Sequence, residues 1–253
     1  MKKVSACIVT YNDESTVLRT VETLLQFTKG VELKIYISDN GSSDHALERI
    51  REKFPQVIIL ESDCNRGFGA GNNAVLSQLD SDYHVLVNPD IEIDHDVLTQ
   101  MADYMDTHTD VGILTPKVLN MDGTVQHLPK LRPKFIYLLS GRLHFLQEKR
   151  DHFTFADREV VNPEEIDFCT GCFMFLRTDL FRKVGGFDER YFLYLEDADL
   201  TREIQKYAKA VYHPDMTVFH KWHRASGHSV KYLLIHIHSM FKYFWKWNIR
   251  RGK

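Results

Sequence analysis

The sequence has few cysteines, few prolines and no long apolar run, and each shortage removes a class of protein. Four cysteines (Cys7, Cys64, Cys169 and Cys172) in 253 residues do not make a disulfide scaffold. No stretch has the apolar length that spans a bilayer, and the run at residues 4–9, behind Met1-Lys2-Lys3, is too short for the apolar region of a signal peptide. A cytoplasmic protein is expected. No internal repeat or low-complexity segment occurs. A net charge of −3 gives no case for a nucleic-acid partner, and none is expected. Acid is missing from one end: residues 221–253 hold no Asp or Glu, whereas Lys221, Arg224, Lys231, Lys242, Lys246, Arg250, Arg251 and Lys253 are basic. The excess acid lies in the body of the chain, where carboxylates suit a metal ion or a proton transfer.

What is present begins with alternation. β-Branched, apolar runs at residues 4–10, 33–38, 57–60 and 84–87 read as strands. Helical patterns stand between them, through Val17, Val21, Leu24 and Leu25, then over 45–54 and 70–79. Strands alternating with helices predict an α/β fold with a mostly parallel, Rossmann-like sheet, whose ligands bind beyond the carboxyl ends of the strands. Those ends are polar: Thr10-Tyr11-Asn12-Asp13, Asp39-Asn40-Gly41-Ser42-Ser43-Asp44, Asp63 to Asn73, and Asn88-Pro89-Asp90. Turns alone do not need an arginine, an aromatic and several carboxylates there. The second half is less regular. Residues 125–165, with Pro129, Pro133 and Pro163, read as a loop-rich insertion over the site, and 167–176 as a strand. A short helix at 179–184, a clear one at 196–208, short strands at 211–212 and 218–219 around Pro214, and a helical tail from about Val230 follow. One domain is expected, with halves at 1–125 and 126–220 and a basic, aromatic tail at 221–253.

The carboxylate cluster Glu196-Asp197-Ala198-Asp199 is the most informative constellation. On a helical wheel, Leu193, Leu200, Ile204, Tyr207 and Ala208 share an apolar face. Asp197 falls inside that face, Glu196 at its edge, and Asp199 well away from it. Acids at a helix start also favour its positive end, which accounts for Asp199 and for Glu196 but not for an aspartate on the buried face. Asp197 is therefore expected to be functional. Asp90, closing a strand, is either a turn residue or a carboxylate for a hard divalent ion, with Asn88 placed to hold it. Gly67-x-Gly69-x-Gly71, beside Arg66 and Asn72-Asn73, suits close backbone approach to a phosphate, although it is not the dinucleotide fingerprint. Cys169-x-x-Cys172 lacks the second ligand pair of a zinc site and sits in a strand-like run, so buried packing is expected. Of the histidines around Trp222 (His213, His220, His223 and His228), His220, directly after a strand, is the candidate ligand.

In order and spacing these motifs, with Gly171-Cys172-Phe173-Met174, Gly185-Gly186-Phe187-Asp188 and Tyr194 to Leu200, resemble the inverting glycosyltransferases of family 2, which have a GT-A fold. The resemblance runs from Val4 to about Tyr243 and is greatest to bacterial rhamnosyltransferases. It implies a nucleotide-diphosphate sugar donor, with Thr10, Tyr11 and Asp39 at the base, Asn12 in the same loop, and Arg66, Gly67 and Asn72 at the nucleotide. It places Asp90 and His220 at a divalent metal, Mn2+ or Mg2+, although Asn88 stands where the family's DxD motif has its first aspartate. Asp197 matches the catalytic base, with Glu196 and Asn88 as support. The expected activity is transfer of rhamnose from dTDP-rhamnose to a hydroxyl of a glycan or polyprenyl-diphosphate-linked saccharide in bacterial surface polysaccharide synthesis. A UDP-hexose or UDP-N-acetylhexosamine transferase of the same fold, or a non-catalytic nucleotide-sugar or glycan-binding module, are the competing readings. The tail either packs on the domain or touches the cytoplasmic face of the inner membrane, where aromatics and cations suit an anionic surface.

Overall fold

The apolar runs of the first half form the strands their composition predicts. In the computed structural model, which describes residues 1–140, 146–221 and 230–249, β1 (Lys3–Thr10), β2 (Glu32–Asp39), β3 (Ile58–Glu61) and β4 (Tyr83–Val87) pair in parallel in the order β3-β2-β1-β4. Helices α1 (Glu14–Phe27), α2 (Ala46–Lys53) and α3 (Phe68–Asn73) connect them. Past its first residue β1 is buried on both faces, which is why its sequence is a continuous apolar run.

The sheet continues through strands that the first-half pattern does not announce. In chain order come β5 (Ile91–Glu92), α4 (Val97–Thr107), β6 (Val111–Leu119), β7 (Val125–Gln126), α5 (Phe135–Ser140), α6 (Gln147–Phe153), β8 (Glu164–Glu165) and β9 (Phe173–Arg177). Then follow α7 (Thr178–Lys183), α8 (Glu196–Ile204), β10 (Lys209–His220), α9 (Val230–Phe244) and a π-helical turn, Trp245–Ile249. The spatial order is β3-β2-β1-β4-β9-β6-β10-β5, with β9 antiparallel between β4 and β6, and β10 parallel to β6. The result is the α/β fold with a mostly parallel central sheet.

Several local expectations change. The helix and strand α4 and β6 have no counterpart in the sequence reading; β6 is interrupted by Gly112 and Pro116, which blunt its strand pattern. Residues 211–212 and 218–219 are one twelve-residue strand, β10. Its register against β6 shifts between His213 and Thr217, so Pro214 on one strand and Pro116 on the other fall at the same irregularity, where a missing N–H is tolerated. The strand expected over 167–176 begins only at Phe173. Before it, Lys130 and Phe168 form an isolated bridge, and the Cys169 N–H donates to Thr201 Oγ1 at 3.2 Å. The helix expected over 70–79 is the shorter α3 followed by a 3-10 turn, Leu76–Gln78. The helix expected over 196–208 stops at Ile204, leaving Tyr207 exposed rather than on a buried face.

Alternation along the strands sends side chains into two cores. Val4, Ala6 and Ile8 join Ile35 and Ile37 with α1, α2 and α4, while Cys7, Val9 and Tyr36 join Leu200 and Ile204 of α8. A third cluster joins the insertion to the tail: Phe153, Phe168, Tyr191, Leu195 and Ala198 against Met240, Tyr243 and Trp247. The tail helix thus packs on the domain. Asp199, expected on the solvent side of α8, is buried, because the tail covers the face that a one-helix wheel leaves open. Its Oδ2 lies 2.7 Å from Lys246 Nζ, and its Oδ1 accepts from Trp247 Nε1 at 2.7 Å. Cys169 and Cys172 are free, buried packing residues, and burial pushes the Cys172 thiol up to about 12. His213 is partly buried with its ring edge on Tyr104; His223, His228 and Trp222 lie outside the described residues. No helix among the described residues is long and apolar enough to cross a membrane.

Candidate active site

The polar loops at the carboxyl ends of the strands are stitched to one another. The β1 loop meets the β2 loop where Asn12 N–H donates to Ser42 Oγ (3.0 Å) and Asn12 Oδ1 accepts from Ser43 N–H (2.8 Å). Asn12 sits at φ +58°, a left-handed conformation that asparagine tolerates better than most residues. The β2 loop meets the β3 loop through Asn40 Nδ2, which donates to Gly67 O at 3.1 Å. The β3 loop in turn meets the segment before α8, where Phe68 N–H donates to Phe192 O at 3.1 Å. Gly67 has φ +92°, and a Cβ there would stand 2.2 Å from Phe192 O, so only glycine fits. Gly69 and Gly71 are likewise closed by Phe187 and Val9, so protein packing rather than a ligand already requires the glycine run.

The head of α8 is set by two consecutive left-handed residues, Tyr194 (φ +70°) and Leu195 (φ +66°). Such conformations cost about 1–3 kcal/mol each and persist where surrounding packing imposes them. They deliver Glu196 and Asp197 to a cavity of about 950 Å³, which Asn88, Lys130, Gly171 and His220 also line. Asp197 Oδ2 accepts from Gly171 N–H at 2.9 Å and Oδ1 from Ala198 N–H at 2.9 Å. A side chain at Gly171 would press on Phe68 (3.1 Å) and on Asp197 Cβ (3.4 Å). Burial raises the pKa of Asp197, opposed by the Lys130 charge and by those amides. Burial raises Glu196 well above its ordinary value, the Asp197 charge adds to this, and Glu196 Oε2 has no hydrogen-bond partner. Burial raises both adjacent carboxyls, and Glu196, without the Lys130 charge and the Gly171 and Ala198 amides that oppose the rise at Asp197, is the one that holds its proton more tightly.

At the ends of β4 and β10, His220 Nε2 lies 3.1 Å from Asp90 Oδ1. Both atoms are buried, and the alignment gives neither a hydrogen bond. Gln126 explains the ring's orientation. Its Nε2 donates to Asn120 Oδ1 (2.7 Å) and His220 O (3.0 Å), so its Oε1, 2.9 Å from His220 Nδ1, must accept. Nδ1 therefore donates to Gln126, which turns Nε2 toward the carboxylate. Two orphaned, buried atoms of this chemistry fit a divalent ion held by one carboxylate and one imidazole, with phosphate oxygens and water completing its shell. Among the described residues no group of three His, Cys, Asp or Glu side chains is placed to hold a metal by itself. Asn88 does not hydrogen-bond Asp90; its N–H donates to Cys172 O, and its side chain faces the cavity.

The remaining expected residues lie along the neighbouring sheet edge and do not line that cavity. Thr10 is buried with an unpartnered hydroxyl, and Tyr11 is exposed. Asp39 is buried and accepts from the N–H groups of Gly41 (2.9 Å) and Ser42 (3.1 Å). Asn72 Nδ2 donates to Phe68 O while its Oδ1 is buried and unpartnered. Arg66 pairs with Glu189 at 3.0 Å on the surface. Sequence reasoning missed Gln126 and Lys130: both stand in a stretch with no strand or helix pattern, and only the sheet's return through β7 and β10 brings them to the site.

Residues 5–185 match the family model for glycosyl transferase family 2. The chain belongs to this family. It is a glycosyltransferase. It is 28% identical over 228 residues to N-acetylglucosaminyl-diphospho-decaprenol L-rhamnosyltransferase of Mycobacterium tuberculosis, covering 83% of this chain and 73% of that one. It is 26% identical over 205 residues to rhamnosyltransferase WbbL of Escherichia coli K12, covering 76% and 73%. Among solved structures, GalNAc-T7 with UDP, GalNAc and Mn2+ superposes with a TM-score of 0.66 over 93% of this chain at 17% identity, a likeness that speaks for the fold alone. The chain spans 47% of that protein. The fold is GT-A.

Proposed function

We propose that this glycosyltransferase moves rhamnose from dTDP-rhamnose to a hydroxyl of a saccharide linked through diphosphate to a polyprenol, inverting the anomeric carbon. The observation that carries the reading is Asp197, held by the amides of Gly171 and Ala198 beside Glu196, in a cavity shared with His220, under a sheet edge of nucleotide-binding character. The donor sugar is drawn from the two rhamnosyltransferase relatives, and the lipid-linked acceptor from the mycobacterial one.

Residues 1–125 would form the donor half, with Thr10, Tyr11, Asn12 and Asp39 around the base and Gly67 and Asn72 near the phosphates. Arg66 reaches a nucleotide only by leaving Glu189. Residues 126–220 would form the acceptor and catalytic half. Asp197 takes the acceptor hydroxyl's proton as that oxygen bonds to the anomeric carbon and the bond to the diphosphate breaks, releasing the nucleoside diphosphate. The amides of Gly171 and Ala198 hold the carboxylate in place, and Glu196, keeping its proton, adds no second negative charge. Asp90 and His220 would hold a divalent ion, Mn2+ or Mg2+, whose positive charge stabilises the departing diphosphate. The tail would rest on the cytoplasmic face of the membrane that carries the acceptor.

A thermal-shift panel of nucleotide sugars tests the donor, since the correct one stabilises the fold by mass action. The same donor should still stabilise Asp197→Asn, while transfer falls about 10²–10⁴-fold, the range of a lost general base. Undiminished turnover in that variant would remove Asp197 from its role.

A further inference from the structure

The cavity that presents Asp197 also holds a cation that the proton transfer does not use. Lys130 follows β7, and its backbone is clamped to Phe168: its N–H donates to Phe168 O at 3.1 Å, and Phe168 N–H donates back to Lys130 O at 3.0 Å. From that anchor the side chain crosses the Phe168 ring, with Nζ 4.7 Å from the ring centroid, and reaches the cavity wall beside Asp197. Arg66, Arg132, Arg158 and Arg190 each pair with a carboxylate on the surface. Lys130, among the described residues, has no ion pair and no side-chain hydrogen bond; it feels Asp197 only through space. Burial opposes its charge, so the ammonium is held partly desolvated without a direct counter-ion. Arg150 of α6 lines the same cavity, is exposed at its rim, and likewise has no carboxylate partner among the described residues.

A cation kept in this state fits an anionic group of the substrate. Two diphosphates meet in the proposed reaction, one on the donor and one on the acceptor. His220, assigned above to the ion at the donor's diphosphate, shares this cavity, but Thr10, Asp39 and Arg66 lie outside it, and an acceptor hydroxyl must enter it beside Lys130 to reach Asp197. We propose that Lys130, with Arg150 at the rim, binds a phosphate of the acceptor, one attached to the sugar that receives the transfer. The enzyme therefore selects saccharides linked to phosphate or diphosphate over uncharged glycosides. This inference rests on the function proposed above.

The test compares two acceptors with dTDP-rhamnose as donor: N-acetylglucosamine linked through diphosphate to farnesol, and octyl N-acetylglucosaminide, which lacks phosphate. In Lys130→Gln the KM for the diphosphate acceptor should rise about ten- to a hundredfold, the worth of a charge-assisted hydrogen bond. The KM for the octyl glycoside and for the donor should not move, and Lys130→Arg should restore most of the loss. A role confined to tuning Asp197 would instead lower kcat for both acceptors alike and leave the ratio of their KM values unchanged, which overturns the proposal. A raised donor KM assigns the cation to the donor's diphosphate and also overturns it. Thermal melting of both variants separates misfolding from lost recognition. Wild-type protein that glycosylates neither acceptor defeats the underlying function reading, and the inference falls with it.

Discussion

At the scale of single residues, the site is governed by how proton and charge are divided between neighbours. Glu196 and Asp197 are consecutive, yet Asp197 receives the Gly171 and Ala198 amides and the field of Lys130, whereas Glu196 has only its own amide in its favour. Glu196 has burial and the adjacent negative charge against it, and its pKa is raised. A carboxyl whose folded pKa exceeds its unfolded value binds its proton more tightly in the native state. Its contribution to stability is therefore fully present below the ordinary glutamate value and is lost as pH rises from there through the folded value. Glu196→Gln cannot ionise and escapes that loss. The melting temperature of the variant should gain on wild type between pH 4 and pH 8; parallel curves over that range would show that Glu196 is not held protonated.

At the scale of elements, α8 and the tail form one unit. Asp199 is the joint, fixed by Lys246 and Trp247, while Lys246 also reaches Asp188 (3.3 Å) and Glu203 (3.2 Å). Burial raises the pKa of Asp199, and Lys246 and Trp247 oppose the rise. Asp199→Ala takes away the acceptor of the Trp247 indole N–H and one of the three carboxylates around Lys246, so it should cost about 1–3 kcal/mol in urea unfolding. Asp199→Asn, which still accepts from the indole, should cost less. Because Asp197 stands in the same first turn of α8, two residues before Asp199, the alanine variant should also lower kcat. Full stability in Asp199→Ala would mean that the tail is held by its apolar contacts with Tyr191, Leu195 and Ala198 instead.

At the scale of the whole molecule, the tail has two faces. Met240, Tyr243 and Trp247 are buried on the domain, whereas Val230, Leu234, Ile237, Phe241 and Trp245 form an exposed stripe at helical spacing. Lys231 lies beside it, and Phe135 and Ile136 of α5 are exposed nearby, with the Phe135 and Phe244 rings 6.4 Å apart. An apolar stripe in a segment without acid suits an anionic bilayer surface. Phe241→Ser with Trp245→Ser should reduce co-sedimentation with vesicles containing phosphatidylglycerol about tenfold or more, since each aromatic removed is worth on the order of 1 kcal/mol or more of burial. Neither residue belongs to the buried cluster, so melting should change little. Vesicle binding that survives the double substitution would leave the stripe without this role. Removing the helix outright would strip Tyr243 and Trp247 from the third core and confound the result.

The sequence by itself determined the first half of the sheet, the polar edge beyond it and the family. Those features are local: β-branched runs between helices write themselves into periodicity, and loops that meet ligands are contiguous stretches such as 39–44 and 63–73. It also singled out Asp197 from the helical wheel, although the structure leaves that residue half-buried at the cavity and buries Asp199 more deeply. Tertiary structure alone decided the rest. Asp199 became buried because a helix some forty residues later covers it. His220 acquired its ring orientation from Gln126, 94 residues away in sequence, and Lys130 its place beside Asp197 from a two-residue bridge to Phe168. None of these leaves a periodic trace, since a single side chain meeting a distant partner depends on where the backbone returns, and that is settled only when the sheet closes around β6, β9 and β10.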